Sequence, residues 1–199
     1  GFCLWPSKFT DYNISNTPFK RDVIKELAEA CKRNGVQFCV YYCITDWWHP
    51  DYPLGSPGGH AKKPNPNMPR YLEYVKNQTG ELIRNYGPLG LLWFDIGDSQ
   101  VWAPEYRHYG DELYNSVKSL QPSLVVNDRC VQPKPPSGDY ATREGQIGSF
   151  DRARPWETCM VIGGHWAWDP HAKNTYMSLR ECLHWLLTVA GNDGNLLLN

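Results

Sequence analysis

Leu89-Gly90-Leu91-Leu92-Trp93-Phe94-Asp95 is a near-continuous apolar run that ends in a carboxylate, with Pro88 before it and Gly97 two residues after the Asp. A run of this length without polar alternation predicts a strand buried on both faces, as in a parallel sheet. Its last residue then sits at the strand's carboxyl end, where parallel α/β folds carry out their chemistry. A turn or cap Asp is the bland alternative. Strand alternation puts Trp93 on the same side as Asp95. An indole beside a carboxylate at a strand end suits a saccharide, whose C–H faces pack on flat rings.

Working outward, the same pattern recurs. Residues 36–44 are β-branched and aromatic and predict a second buried strand. It runs into the polar, aromatic cluster Thr45-Asp46-Trp47-Trp48-His49-Pro50-Asp51-Tyr52. Before it, Val23, Ile24, Leu27, Ala28, Ala30 and Cys31 follow helical spacing over residues 21–34, and Gly35 supplies the stop. A long Pro-, Gly- and Asn-containing loop reaches Pro69, and loops of that length are usually functional. A helix is expected over 71–85 on Leu72, Val75, Leu82 and Ile83, with Gly80 weakening its middle. Beyond Asp95 come a helix over 111–120 and a short buried strand over 123–127 that ends in Asn127-Asp128-Arg129. A loop carrying Gly138-Asp139-Tyr140-Ala141-Thr142-Arg143-Glu144 follows. A strand over 157–162 precedes Gly163-Gly164-His165-Trp166. The clearest helix spans 176–190, with Met177, Leu179, Cys182, Leu183, Leu186 and Leu187 expected inward. A last strand covers 195–199.

Strand–helix alternation at this spacing implies right-handed βαβ units and a parallel sheet. Polar aromatic residues at one end of every strand make the expected fold an α/β, TIM-like (β/α) barrel with its site on the carboxyl face. Only five or six strands are legible, whereas a full barrel takes about 250 residues. Residues 1–199 are therefore expected to be one partial barrel, incomplete at the N-terminus. Gly1-Phe2-Cys3-Leu4-Trp5-Pro6 reads as the tail of a strand, so the natural chain is expected to extend upstream.

Bulk properties narrow the function. The formal net charge is −1, which argues against nucleic-acid or anionic-membrane partners. No apolar run reaches the roughly 18 residues of a membrane span. Nine Trp and twelve Tyr make a large core or a carbohydrate surface. Trp47, Trp48, Trp102, Trp166 and Trp168 sit beside polar residues and favour the surface. The seven cysteines are odd in number and form no CxxC pair, so most are expected to be small buried hydrophobes rather than zinc ligands.

Two carboxylates flanking a sugar bond are the minimum kit for glycoside hydrolysis. Asp95 is the candidate nucleophile. Two glutamates compete for the acid/base role, which needs a partly desolvated carboxyl. Glu144 lies in a loop, while Glu157 starts a strand and so lies at the face opposite the site; Glu144 ranks first. Arg129 is placed to pair with a carboxylate or hold a sugar hydroxyl, and equally to make a structural salt bridge. His49 can donate to a hydroxyl. No metal or cofactor is expected, because His49, His60, His165 and His171 lack ligand spacing and Asp95 with Asp98 is a weak pair.

Taken together, Gly-Phe-Cys-Leu-Trp-Pro-Ser-Lys-Phe-Thr-Asp-Tyr-Asn at the start, Asp46-Trp47-Trp48-His49-Pro50-Asp51-Tyr52, Leu92-Trp93-Phe94-Asp95, Asn127-Asp128-Arg129, Gly138-Asp139-Tyr140, Trp156-Glu157-Thr158-Cys159 and Gly194-Asn195-Leu196-Leu197-Leu198-Asn199 resemble the α-L-fucosidases of glycoside hydrolase family 29, in the right order across essentially the whole chain. The resemblance implies a retaining exo-hydrolase acting on fucosylated glycans, with Asp95 as nucleophile. It implies Glu144 as acid/base, within a Thr142-Arg143-Glu144 that carries Arg where the family often has Pro. It also places Trp5, His49, Trp93 and Arg129 on the fucose and Trp166 near the sugar's methyl group. Trp48 stands where the family usually has a first His. The family's first barrel strand and the C-terminal β-sandwich of many members are not matched, so this chain alone is expected to be inactive or poorly folded, since an open barrel exposes sheet edges. A periplasmic, extracellular or lysosomal location is implied. The oligomeric state stays open. Two other readings remain: an inactive sugar-binding protein on a degenerate hydrolase scaffold, and a barrel hydrolase for another hexose.

Overall fold

Three helices begin where Asp22, Asn67 and Ser178 supply a capping side chain. In the computed structural model Asp22 accepts the backbone N–H of Lys25 at 2.9 Å and starts α1 (Val23–Arg33), and Asn34 with left-handed Gly35 (φ 66°) stops it. The first strand is β1 (Val40–Cys43). A small antiparallel hairpin, β2 (Leu54–Gly55) and β3 (Ala61–Lys62), follows. Asn67 caps α2 (Met68–Tyr86), accepting from Arg70 N–H at 3.0 Å, with Pro69 in the first turn. Then come β4 (Leu91–Asp95), α3 (His108–Leu120) and β5 (Val125–Val126). A 3-10 turn, Asp128–Cys130, closes this part. The remaining elements are β6 (Ala141–Glu144), β7 (Trp156–Met160), α4 (Leu179–Gly191) and β8 (Gly194–Leu198). The structure describes residues 1–55, 61–95, 108–130, 138–151, 153–171 and 176–199. The expectations for His60, Gly97, Asp98 and Trp102 fall outside those residues.

The chain divides into two units, Gly1–Gly138 and Asp139–Asn199. In the first, β1, β4 and β5 form a parallel sheet in the order β1-β4-β5, with Tyr41 opposite Trp93, Cys43 opposite Asp95 and Leu92 opposite Val126. Leu92, Phe94 and Val126 are wholly buried and share one core with Leu72, Val75 and Leu82 of α2 and Leu113 and Val117 of α3. Each such side chain contributes about 1.5–3 kcal/mol on leaving water. That burial fixes the alternation of β4, so Trp93 and Asp95 take the opposite face. In the second unit β6, β7 and β8 are also parallel, with β7 central. Trp156 fills its interior at 1% exposure, and its indole N–H donates to the Asn192 carbonyl at 3.1 Å. Gly194 is required opposite that ring, since a Cβ there would come within 2.3 Å of the indole.

Several expectations are corrected. The strand expected over 36–44 shrinks to four residues and is buried on one face only, with Val36 58% and Tyr41 61% exposed. Glu144 is not in a loop but is the last residue of β6, a strand stabilised by pairing with β7 rather than by its own polar sequence. Leu179, Leu183, Leu186 and Leu187 of α4 are exposed; α4 packs on β8, and Val189 is its buried residue. The cysteines are all free, and three of the seven are buried. The α/β class stands: six of the strands lie in parallel pairs. Among the described residues no helix is long and apolar enough to cross a membrane.

Candidate active site

Asp95 ends β4 because the apolar run ends there. Its carboxylate is held from two sides. Tyr41 donates its hydroxyl to Oδ2 at 2.6 Å, and Arg129 donates Nη1–H to Oδ1 at 3.0 Å. The Asp95 side chain keeps 23% of its surface exposed and that of Arg129 15%. The arrangement is a product of register. Tyr41 faces Trp93 across β1 and β4, and their rings stack with centroids 5.5 Å apart and planes 18° from parallel. The phenol therefore reaches past Trp93 to the next residue on that face. The Arg129 guanidinium lies 4.6 Å from the Trp93 ring centroid on a cation–π contact. Burial, and then the adjacent carboxylate, push the Tyr41 phenol above its ordinary range, so it stays protonated and keeps donating. Two donors on one carboxylate fix the orientation of its oxygen pair.

Asn127 fixes the strand end from the other side. Its Oδ1 accepts Phe94 N–H at 2.9 Å and its Nδ2 donates to the Phe94 carbonyl at 2.8 Å. It is wholly buried. The side-chain amide thus supplies the rung that β5 is too short to make. Gly138 serves the same corner. It has φ 105°, and a Cβ there would come within 2.6 Å of the Asn127 carbonyl and 2.7 Å of Asp128 Cα. Gly138 can pack on the Asn127-Asp128 backbone because it has no side chain.

His49 lies in the turn after β1, where Asp46 Oδ1 accepts the N–H groups of Trp48 and His49. Its ring packs on Tyr74 and Tyr71 at 4.4 and 5.0 Å. Nδ1 accepts Asp51 N–H at 3.2 Å. Burial lowers its pKa, so the neutral ring carries its proton on Nε2, and that N–H is the donor it can offer. Trp5 is placed differently from a ligand-facing indole: it is 7% exposed and donates Nε1–H to Glu81 at 3.0 Å. The position is that of a core anchor.

In the second unit Glu144 and Glu157 lie at different levels of one sheet. Glu144 is opposite Cys159 at the carboxyl end of β6, and Glu157 is the second residue of β7, opposite Thr142. Strand position thus favours Glu144 for a site on the carboxyl face. Burial ranks them the other way, with Glu144 exposed and Glu157 half-buried. Arg143, which departs from the family pattern, lies 5.7 Å from the Trp156 ring centroid and packs within the unit. Trp166 is 47% exposed in the turn after β7. Among the described residues no three metal-binding side chains converge.

The structure therefore brings Asp95, Trp93 and Arg129 together and adds Tyr41, which the sequence reading did not single out. Its one sequence signal was alternation, two residues ahead of Cys43 on the same face. The neighbour that gives it meaning lies on another strand.

The α-L-fucosidase family model matches residues 1–199. Human plasma α-L-fucosidase is 29% identical over 212 residues, covering 100% of this chain and 43% of that protein. α-L-Fucosidase isoenzyme 1 of Paenibacillus thiaminolyticus superposes with a TM-score of 0.86 at 32% identity, covering 100% of this chain and 51% of that one. A family 29 α-L-fucosidase of Bacteroides thetaiotaomicron, solved as a trapped covalent intermediate with 2-fluoro-fucosyl fluoride, superposes with a TM-score of 0.83 at 27% identity and is covered over 49% of its length. The chain thus spans about half or less of the length of these relatives and shares the α/β fold of their catalytic domains. A set of strand-end motifs in order, a carboxylate held beside an indole at the end of a parallel strand, and a whole-length family match make this chain a member of the α-L-fucosidase family.

Proposed function

We propose that this chain supplies part of the catalytic (β/α) barrel of a retaining exo-α-L-fucosidase, which removes terminal α-L-fucose from glycans or glycoconjugates. The barrel is supported by the strand–helix alternation and by the fit to about half of each solved fucosidase. The observation that carries the activity is the Asp95 carboxylate, held by Tyr41 and Arg129 next to Trp93 at the carboxyl end of β4. An Asp95 oxygen attacks the anomeric carbon while a protonated carboxyl, assigned to Glu144 with Glu157 as the alternative, gives its proton to the departing oxygen. Water then attacks the fucosyl ester, the same carboxylate takes its proton, and fucose leaves with its configuration retained. Arg129, His49 and Trp93 hold the sugar, with Trp166 in the family's pattern, while Trp5 supports the site from the core through its bond to Glu81. Trp93 and Arg129 also hold the nucleophile. Fucosylated glycans outside the cytoplasm are the expected partners, in the periplasm, the extracellular space or the lysosome; one relative is named a plasma enzyme.

Incubation of the natural full-length protein with 2-fluoro-fucosyl fluoride tests the assignment. The fluorine at C2 slows both formation and breakdown of the ester, while the fluoride leaving group restores the rate of formation, so the ester accumulates. The peptide containing Asp95 is expected to gain one 2-fluorofucosyl mass by mass spectrometry. Labelling at another carboxylate would reassign the nucleophile.

Tyr41→Phe keeps the stack on Trp93 and removes one donor to the carboxylate. A charge-assisted bond of about 1.5–3 kcal/mol is lost, which is about 10- to 100-fold in kcat/KM on an aryl α-L-fucoside. The melting temperature is expected to stay close to the parent's, since Tyr41 is 61% exposed. Parent-like kinetics would remove Tyr41 from the site.

A further inference from the structure

We propose that Asp51 is a positioning residue for the sugar site: anchored to the first turn of α2, it presents its backbone N–H to His49 Nδ1 and so keeps the His49 Nε2–H as the donor to a sugar hydroxyl. This rests on the fucosidase reading above, in which His49 holds the sugar, and adds to it the residue that decides which ring nitrogen does so. The two nitrogens of an imidazole are not equivalent, and the bond made by one fixes what the other can offer. Asp51 N–H reaches Nδ1 at 3.2 Å, which requires a lone pair there and leaves the proton on Nε2. The half-buried ring lines a cavity of about 430 Å³ together with Thr10, Tyr12, Trp48 and Tyr74.

Residue 51 is tied to α2 by side chain and main chain together. Asp51 is 4% exposed. The Arg70 guanidinium forks over its carboxylate, with Nε donating to Oδ2 at 2.6 Å and Nη2 to Oδ1, and holds that carboxyl below its usual range. Asn67, the cap of α2, donates its N–H to the Asp51 carbonyl at 2.9 Å. Arg70 keeps 69% of its side chain in water, so the ion pair adds little net stability. What it supplies is a fixed direction for the Asp51 backbone. Pro50, between the two residues, locks its own φ and stiffens the link. His49 is held at its own main chain as well: Lys63 Nζ donates to its carbonyl, and Asp46 Oδ1 accepts its N–H at 3.3 Å. Ring and donor are thus anchored separately, and their meeting depends on both anchors. Without the Asp51 carboxylate the turn can rotate that N–H away, and the neutral ring can then carry its proton on either nitrogen. A proton on Nδ1 points the donor away from where Nε2 offers it.

The test is a double-mutant cycle in the natural full-length protein, read on an aryl α-L-fucoside. Asp51→Ala is expected to lower kcat/KM about tenfold, the scale of one well-aimed hydrogen bond to the sugar, mostly through KM. His49→Ala should lose at least as much. In the His49→Ala background, Asp51→Ala should change kcat/KM by less than about twofold, because its effect has no other route. Arg70→Lys keeps the charge and loses the fork. It should fall in the same direction by a smaller factor, and it decides the matter if Asp51→Ala does not fold. NMR of isotope-labelled histidine gives a second readout. The His49 signal, assigned by its loss in His49→Ala, is expected to be that of the Nε2–H form in the parent and to gain the Nδ1–H form in Asp51→Ala. Equal losses in both backgrounds overturn the proposal. So does an unchanged tautomer, or parent-like kinetics in both Asp51→Ala and Arg70→Lys. Parent-like kinetics in His49→Ala overturn it too, and locate the failure in the sugar-holding role of His49. A parent that hydrolyses no fucoside fails the fucosidase reading instead, while the tautomer still decides whether Asp51 sets the ring.

Discussion

Replacing Asp95 with alanine in the natural full-length protein is expected to lower kcat on an aryl α-L-fucoside by about five orders of magnitude, or ~7 kcal/mol of transition-state stabilisation. The reason is the two-step route. Without an oxygen at Oδ1 or Oδ2 no ester forms, and a single direct displacement by water has no base on the correct side of the ring. Tyr41 and Arg129 remain where they were, so the variant keeps two donors aimed at the place of an anion. Azide fits that place and attacks from the side the carboxylate used. Added azide is expected to restore turnover in part and to yield fucosyl azide of inverted anomeric configuration, which NMR reads directly. Fucose binding, measured by calorimetry, should survive. Turnover at the parent level in this variant would remove Asp95 from the mechanism. A complete parent chain that binds fucose and hydrolyses no fucoside would favour the sugar-binding reading.

The second large effect concerns stability. Asn127→Leu keeps the approximate volume and removes both hydrogen bonds to Phe94. The Phe94 N–H and carbonyl would then be buried without partners, at about 1–3 kcal/mol each. A total of about 3 kcal/mol corresponds to a melting temperature lower by roughly 10 °C for a domain of this size. Asp95 is the next residue, so activity measured well below the transition should fall as well, by about tenfold or more for a misplacement near 1 Å. Val125→Ala, at a position 39% exposed on the neighbouring strand, is the control and should cost less than about 1 kcal/mol. A variant melting within about one degree of the parent would mean that the Asn127 amide does not hold the strand end.

Three places mark how far the residues could be read in advance. The stretch from Leu89 to Asp95 needed no partner to be recognised, because a run that must leave water on both faces has few alternatives to a central strand. Ala141 to Glu144 showed nothing of the kind. Its four residues are small or polar, and it is a strand because β7 offers it a ladder. The leucines of α4 carry a correct helical period, but the period names a face and not what lies against it.

The sequence by itself determined the local matters. Apolar runs and capping residues such as Asp22, Asn67 and Ser178 set where strands and helices form, and the motif set gave the family and the carboxylate at its centre. These are decided between residues a few positions apart. Only the tertiary structure decided that Tyr41 and Arg129 hold Asp95, that Asn127 completes the β4 edge, that Trp5 is buried on Glu81 and that Gly138 packs on Asn127. Each of those depends on strand register or on the close approach of segments separated in sequence, and hydrogen bonds and steric contacts act only at distances that the folded chain creates.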